Sequence, residues 1–269
     1  MKPKEELGKE IRNYYSSIAL SENRKSCCTP LSQTGTCFTN LDMSDDYSEK
    51  PGYEELADLG LGCGTPVDFA GIKPGNMVLD IGSGAGNDCF IAARESGANG
   101  KVIGLDMTPE MISLSKRNAG KLNIDNVEFL FGEAESIPLT NNSIDVVISN
   151  CVLNLVIDKA KAYSEIYRVL KPGGRISISD TVSVKTLPDE IKRIAAYHSA
   201  CISGAAEEQE YLEIILNAGF ENLEIRKRKV FEIPNEYLGQ YLPENEISKD
   251  VTFKMYSLTI TAEKPAIKD

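Results

Sequence analysis

Between residues 77 and 182 the chain alternates short β-branched runs with segments of helical period, and this alternation restricts the fold more than any other feature. MVLDIGSG (77–84), KVIGLDM (101–107), VEFLFGEA (127–134), IDVVISN (144–150) and RISISDTV (175–182) read as strands. DCFIAARESG (88–97), PEMISLSKRNAGKL (109–122, behind a Thr108 cap) and KAKAYSEIYRVL (159–170) read as helices, with KPGG (171–174) turning the chain into the last strand. Strands that take turns with helices at this spacing predict an α/β fold, a parallel sheet with helices on both faces.

The flanks are read the same way. Leu7, Ile11, Tyr14, Tyr15 and Ile18 recur at three- and four-residue spacing and predict a helix over 5–20. Residues 21–50 are polar, Ser/Thr-rich and without period, the composition of a mobile segment or lid. PGYEELADLGLGCGTP (51–66) predicts a short helix stopped by glycine, with Cys63 in the turn. Beyond residue 182 we expect a helix carrying Ile191 and Ala195, a helix over 207–220 ending at Gly219, and two strands, 223–233 and 252–264.

Charge narrows the partners. A net charge of −11 over 269 residues argues against nucleic acid and against anionic membranes, both of which reward a basic surface. RKRK (226–229) runs directly into VFEI and reads as the polar flank of a strand. MKPKEELGKEIRNYYSSIAL lacks the apolar stretch of a leader, and no run approaches the ~20 apolar residues that span a bilayer. The expectation is a cytoplasmic protein, monomeric, with a small-molecule substrate.

Seven cysteines are many for such a chain: Cys27, Cys28, Cys37, Cys63, Cys89, Cys151 and Cys201. In a reducing compartment they are thiols, and none forms a C-x-x-C pair, so any site they build is assembled by the fold. Cys89, inside DCFIAAR, reads as packing, and Cys37 has no assignment beyond an alternative redox partner. The single histidine, His198, reads as a structural helical residue, which leaves little material for a general base.

LDIGSGAGND sets Asp80, Gly82, Ser83, Gly84 and Gly86 between the first strand and the first helix. Glycines there let backbone approach a ligand and leave helix N–H groups available. Dinucleotide loops need glycine at the next position, where this chain has Asn87. Asp106, at the end of the second strand and followed by Met107, is placed to accept ribose hydroxyls. Gly132, Glu133 and Ala134 close the third strand, where an adenine edge would lie. An acidic loop suits a cationic, amino-bearing ligand better than a pyrophosphate, and S-adenosylmethionine has a sulfonium, an α-amino group and no phosphate.

VLDIGSGAG, GLDMT, GEAESIPL, DVVISN and RVLKPGGR together resemble the core of class I S-adenosylmethionine-dependent methyltransferases, over about residues 75–182. The resemblance implies a Rossmann-like, seven-stranded, mostly parallel sheet with one reversed strand, which 223–233 and 252–264 would complete, and an N-terminal helical cap. It divides the chain into an N-terminal helix and mobile cysteine-bearing segment (1–56), a cofactor-binding core (57–182) and substrate-side helices with the closing strands (183–269). It also puts Asn150 and Cys151, at the end of the fourth strand, near the departing methyl group, and Tyr15 over the cofactor's methionine end.

LGLGCGTP, SNCVLNL and SACISGA resemble the arsenic-ligating segments of arsenite methyltransferases, and RKSCCTP resembles that family's N-terminal cysteine segment. What this implies is trivalent arsenic held by Cys63, Cys151 and Cys201, with Cys27 and Cys28 serving substrate capture and redox turnover. A thiol reductant, glutathione or thioredoxin, would then be a co-substrate. Thiolates are soft donors that select thiophilic centres, and the arsenic lone pair is itself a nucleophile, so the transfer needs no base. Two other readings stand beside it: a C- or O-methyltransferase of a small molecule such as a quinone, and a non-catalytic metalloid or zinc buffer on the same scaffold.

Overall fold

The computed structural model describes residues 4–21, 45–187, 204–233 and 253–267. Helix α1 (Lys4–Leu20) precedes a turn-rich segment and a short α2 (Val67–Ala70); then come β1 (Met77–Ile81), α3 (Asn87–Ser96), β2 (Lys101–Asp106), α4 (Pro109–Leu122) and β3 (Val127–Phe131). The second half runs β4 (Ile144–Asn150), α5 (Lys159–Val169), β5 (Leu170–Ser183), α6 (Glu208–Asn217), β6 (Glu221–Ile233) and β7 (Phe253–Glu263).

The strands form one sheet in the order β3-β2-β1-β4-β5-β7-β6. β1 pairs in parallel with both β2 and β4, and β7 alone is reversed, pairing antiparallel with β5 and β6. The strand order changes direction between β1 and β4, so the loops leaving their C-terminal ends part to opposite faces and leave a crevice there. This is the expected seven-stranded sheet with one reversed strand. Among the described residues no helix is long and apolar enough to cross a membrane.

Alternation along the inner strands explains the two cores. Val147 of β4 and Leu79 and Ile81 of β1 face one side, with Tyr163 and Ile166 of α5 and Tyr211 and Ile215 of α6. Val146, Ile148 and Val78 face the other, with Cys89, Phe90 and Ile91 of α3, Met111 and Leu114 of α4, and Ile18 of α1. Both faces are buried, which is why these strands are almost wholly apolar.

The edge of β5 and β7 follows a different rule. Ser177, Ser179, Ser257 and Thr259 are buried hydroxyls inside otherwise apolar strands. They form a polar strip that receives the irregular chain before α2: Ser177 Oγ donates to the Pro66 carbonyl (2.7 Å), Ser257 Oγ to the Cys63 carbonyl, and Ser179 and Thr259 bond each other (2.8 Å). Buried backbone carbonyls need such partners, and the strip supplies them.

Three local expectations are corrected. Residues 51–66 are turns, with helix confined to Val67–Ala70. Gly52 and Gly60 take φ of +92° and +63°, and the carbonyls of Cys63, Gly64 and Pro66 bond to side chains of other elements, so tertiary hydrogen bonds outweigh the local helical period. KPGG lies within β5 as an irregularity, not as a turn before it: Leu170 pairs with Ile144, the register shifts, and Gly173 and Gly174 exchange backbone bonds with Lys264. Thr108 occupies the N-cap of α4 without a side-chain cap bond. The helix carrying Ile191 and Ala195 falls outside the described residues.

Leu79 is fully buried at the centre of the sheet. Leu79→Ala is expected to cost about 2–5 kcal/mol, the usual range for an unfilled core cavity, read as a lowered urea midpoint with unchanged slope.

Candidate active site

A cavity of about 560 Å³ opens at the β1–β4 crevice. Its floor is the β1–α3 loop. Gly82 and Gly84 adopt φ of +74° and +52°, and a Cβ on Gly82 would fall 2.2 Å from Val152, so only glycine fits the loop under that side chain. Asp106 reaches back to the same loop: its Oδ2 accepts from Gly84 N (3.0 Å) and its Oδ1 from Thr108 N (2.8 Å). The carboxylate therefore fixes the loop as well as facing the cavity.

Of the residues expected to hold the cofactor, Tyr15, Asp80, Gly82, Ser83, Gly84, Asp106, Met107, Glu133, Ala134 and Asn150 all line this cavity. Gly86 does not; at φ +103° it is the N-cap of α3, and a Cβ there would strike Phe90. Glu133 also pairs with Arg12 of α1 at 2.6 Å, which fastens the helical cap over the cavity mouth. Cys89 is buried as expected, with its thiol donating to Asp80 Oδ2 at 3.2 Å.

Several cavity residues carried no signal in the sequence reading: Tyr47, Asp58, Asn87 and Asp88. Asn87 and Asp88 open α3 and could have been suspected from the polar pair that follows the glycines. Ser83 Oγ, Asn87 Oδ1, Asp88 Oδ1 and Thr108 Oγ1 are buried with no hydrogen-bond partner among the described residues. Each such oxygen costs roughly 1–3 kcal/mol unless something donates to it. A ligand with an ammonium group, an amine and ribose hydroxyls supplies those donors, whereas a phosphate would meet Asp80, Asp88 and Asp106. The donor-poor, acidic lining thus fits S-adenosylmethionine.

Burial raises the pKa values of these carboxyls. Asp80 is driven well above the ordinary range by burial and by the neighbouring Asp88. Asp88 is pushed up to about 6, mainly by burial, against hydrogen bonds from Asn150 and Tyr47 that favour its charged form. A cationic ligand reverses that penalty.

The thiols stand beside this cavity. β4 ends at Asn150, and Cys151 follows in the left-handed region at φ +59°. A non-glycine residue pays for that conformation, and Cys151 is held there by its N–H, which donates to the Ser179 carbonyl (2.8 Å). The sharp reversal ends the strand and leaves the Cys151 side chain buried between the cavity and Cys63. Cys63 arrives on the segment that lies against the β5–β7 hydroxyl strip. That segment has no room to spare: a Cβ on Gly62 would sit 2.7 Å from Asn150, and one on Gly64 would sit 2.6 Å from Ser179.

Asn150 joins the two halves. Its Oδ1 accepts from Cys63 N (3.0 Å), while its Nδ2 reaches Tyr47 Oη (2.7 Å), the Gly64 carbonyl (2.9 Å) and Asp88 Oδ2 (3.1 Å). The amide that the sequence reading gave to the cofactor is thus a bracket between the thiol segment and the cofactor loop. Tyr15 packs on Cys63, Cys151 and Leu155, so it touches the thiols as well as the cavity.

A third polar group was not foreseen. β5 runs past the end of β4, whose last residue pairs with Ser179, and the next residue is Asp180. The Cys63 and Cys151 sulfurs and an Asp180 carboxylate oxygen lie within 4.8 Å of one another, all three residues buried. Tyr211 Oη donates to Asp180 Oδ2 (2.6 Å), Tyr163 Oη donates to Tyr211 (2.8 Å), and burial pushes Asp180 up to about 7. Cys27, Cys28, Cys37, His198 and Cys201 lie outside the described residues.

Sheet order, glycine loop, switch-point cavity and acidic lining define a class I S-adenosylmethionine-dependent methyltransferase. Residues 72–219 match the family model described as a methyltransferase domain. The chain is 39% identical to the arsenite methyltransferase of Halobacterium salinarum, over 98% of this chain and 68% of that protein. It is 29% identical to the arsenite methyltransferase of Mus musculus, over 96% of this chain and 69% of that one. A solved arsenic(III) S-adenosylmethionine methyltransferase from Chlamydomonas reinhardtii superposes with a TM-score of 0.64 at 31% identity, covering 77% of this chain and 68% of that structure. The chain belongs to the arsenite methyltransferase family.

Asp88 supplies a pH test. Its folded pKa of about 6 lies above the ordinary value of 3.8, so the folded state keeps this proton longer than the unfolded one. Its contribution to stability is full below the unfolded value and is lost as pH rises through about 6. Asp88→Asn removes the cost of ionising it. The unliganded variant is expected to unfold at higher urea than the parent at pH 8, to converge with it near pH 4, and to bind S-adenosylmethionine more weakly at pH 8.

Proposed function

We propose that the protein methylates trivalent arsenic, taking arsenite or its small-thiol adducts as substrate. The observation that carries this reading is the convergence of the Cys63 and Cys151 sulfurs, from two distant segments, beside the cofactor cavity. Cys201 is the third thiolate of the proposed set. Soft sulfur donors hold trivalent arsenic and would hold a quinone or an alcohol poorly.

S-adenosylmethionine, when bound, supplies an electrophilic methyl carbon. The chain's own contribution is placement. Asp80, Asp88, Asp106 and the 82–85 loop would hold the cofactor's polar groups, and Asn150 keeps the thiol segment in register with them. Tyr15 and Leu155 cover the sulfurs with apolar surface and keep water from them. Fixing two reactants in line can account for roughly 7–11 kcal/mol of a barrier, and the arsenic lone pair carries no proton for a base to remove.

Methylation uses that lone pair and raises arsenic from the trivalent to the pentavalent state. Return to the trivalent state takes two electrons from a pair of thiols, which become a disulfide. Cys27 and Cys28 are the proposed intramolecular thiols, and glutathione or thioredoxin the external reductant that reopens the disulfide. We place the enzyme in the reducing cytoplasm, acting as a monomer without nucleic acid or membrane.

Labelled-methyl transfer to arsenite, with glutathione present, tests the reading. Cys63→Ser and Cys151→Ser are each expected to lower turnover by at least about a hundredfold, the scale of loss when a reactant is misplaced, with S-adenosylmethionine binding retained. Unchanged arsenite turnover would remove the thiol site. No arsenite turnover in the parent, with methylation of a quinone-type acceptor, would favour a carbon or oxygen methyltransferase.

A further inference from the structure

Two sulfurs satisfy only two of the three valences of trivalent arsenic, and a buried carboxylate lies beside them both. Asp180 sits beside both thiols, within 4.8 Å, and is itself fully buried. A carboxylate has about four lone-pair directions. Thr181 N and Tyr211 Oη donate to it at 3.2 and 2.6 Å, and the Asn154 backbone N–H is a third donor. One direction is left for a further donor. Tyr211 is in turn held by Tyr163, which is fully buried, so the carboxylate cannot swing away.

The geometry points to Asp180 as the acceptor for the hydroxyl that arsenite keeps when Cys63 and Cys151 have captured it. This rests on the arsenic reading above and adds a residue to it. The step balances without any redox change. Two sulfur–arsenic bonds form and two arsenic–oxygen bonds break; each departing hydroxide takes one thiol proton and leaves as water. The product is a trivalent arsenic carrying two cysteine sulfurs and one hydroxyl, with its lone pair intact. A hard carboxylate oxygen competes poorly with sulfur as a direct ligand to a thiophilic centre, but it is a strong acceptor for an O–H donor.

The consequence is an oriented capture complex. With the hydroxyl tethered to Asp180, rotation about the two sulfur contacts is arrested, and the third position is kept for the thiol that replaces the hydroxyl. Asp180 also gives the site a preference. Inorganic arsenite retains a hydroxyl after taking two thiols; methylarsonous acid, whose methyl group fills one valence, retains none. Only the first can use the carboxylate.

The test compares the two probes by calorimetric titration of the full chain bearing Cys27→Ser, Cys28→Ser and Cys201→Ser, so that neither probe takes a third of these thiols. Adding Asp180→Ala is expected to weaken arsenite by about ten- to a hundredfold, the usual worth of a hydrogen bond to a charged group, and to leave methylarsonous acid unchanged. Asp180→Asn, which keeps a neutral acceptor, should recover part of the arsenite loss. Equal weakening of both probes would assign Asp180 to the fold alone, and no change in either would remove it from the site; both results overturn the proposal. If neither probe binds with Asp180 intact, the Cys63–Cys151 site fails and the proposal fails with it.

Discussion

The arrangement turns on one side-chain amide. Asn150 stands where β4 stops, and its hydrogen bonds run to Cys63 N, the Gly64 carbonyl, Tyr47 and Asp88. Those partners belong to three regions: the segment that follows α1, the thiol segment, and the start of α3 above the glycine loop. An amide offers both donor and acceptor in fixed relation, so it can set the distance between a backbone N–H on one segment and a carboxylate on another. The sheet seats each thiol, Cys63 through Ser257 and Cys151 through Ser179, and Asn150 adds the direct tie from the thiol segment to Asp88 at the cofactor loop.

Around that bracket the fold accepts several unfavourable choices at one spot. Cys151 takes a left-handed backbone, Asp80 and Asp88 are buried next to each other, and four cavity oxygens have no partner among the described residues. Strain and desolvation of this kind are tolerated where a ligand compensates them. The opposite is true of the flanking layers, where Leu79, Ile148, Tyr163 and Ile178 are fully buried and carry the stability that the site gives up. Rigid support and a costly site are therefore separate parts of the same sheet: the strands hold, and their C-terminal ends do the chemistry.

The sheet was legible because its strands are apolar on both faces and the helices between them keep their period; β1 to β4 begin where the sequence reading began them, while β1 and β3 end three residues earlier, at Ile81 and Phe131. The glycine loop, Asp106 and the 132–134 edge were legible because glycines and a strand-end acid leave a local signature. What escaped was long-range. Nothing local in PGYEELADLGLGCGTP tells that its carbonyls will be taken by Ser177 and Ser257, so the segment read as helix. Asp180 read as one more polar residue in RISISDTV; only the offset between β4 and β5 brings it to the thiols. Asn150 was placed near the reaction by resemblance, yet its role as a bracket depends on partners far away in sequence.

The central claim is that Cys63, on the segment docked against the β5–β7 hydroxyl strip, and Cys151, at the end of β4, bind the metalloid directly. Arsenic K-edge X-ray absorption on the full reduced chain, loaded with one equivalent of arsenite and with S-adenosylhomocysteine, reads the atoms bound to arsenic. The account predicts a sulfur shell that loses one sulfur in Cys63→Ser and one in Cys151→Ser, with oxygen taking its place. An arsenic shell unchanged by both substitutions would contradict it.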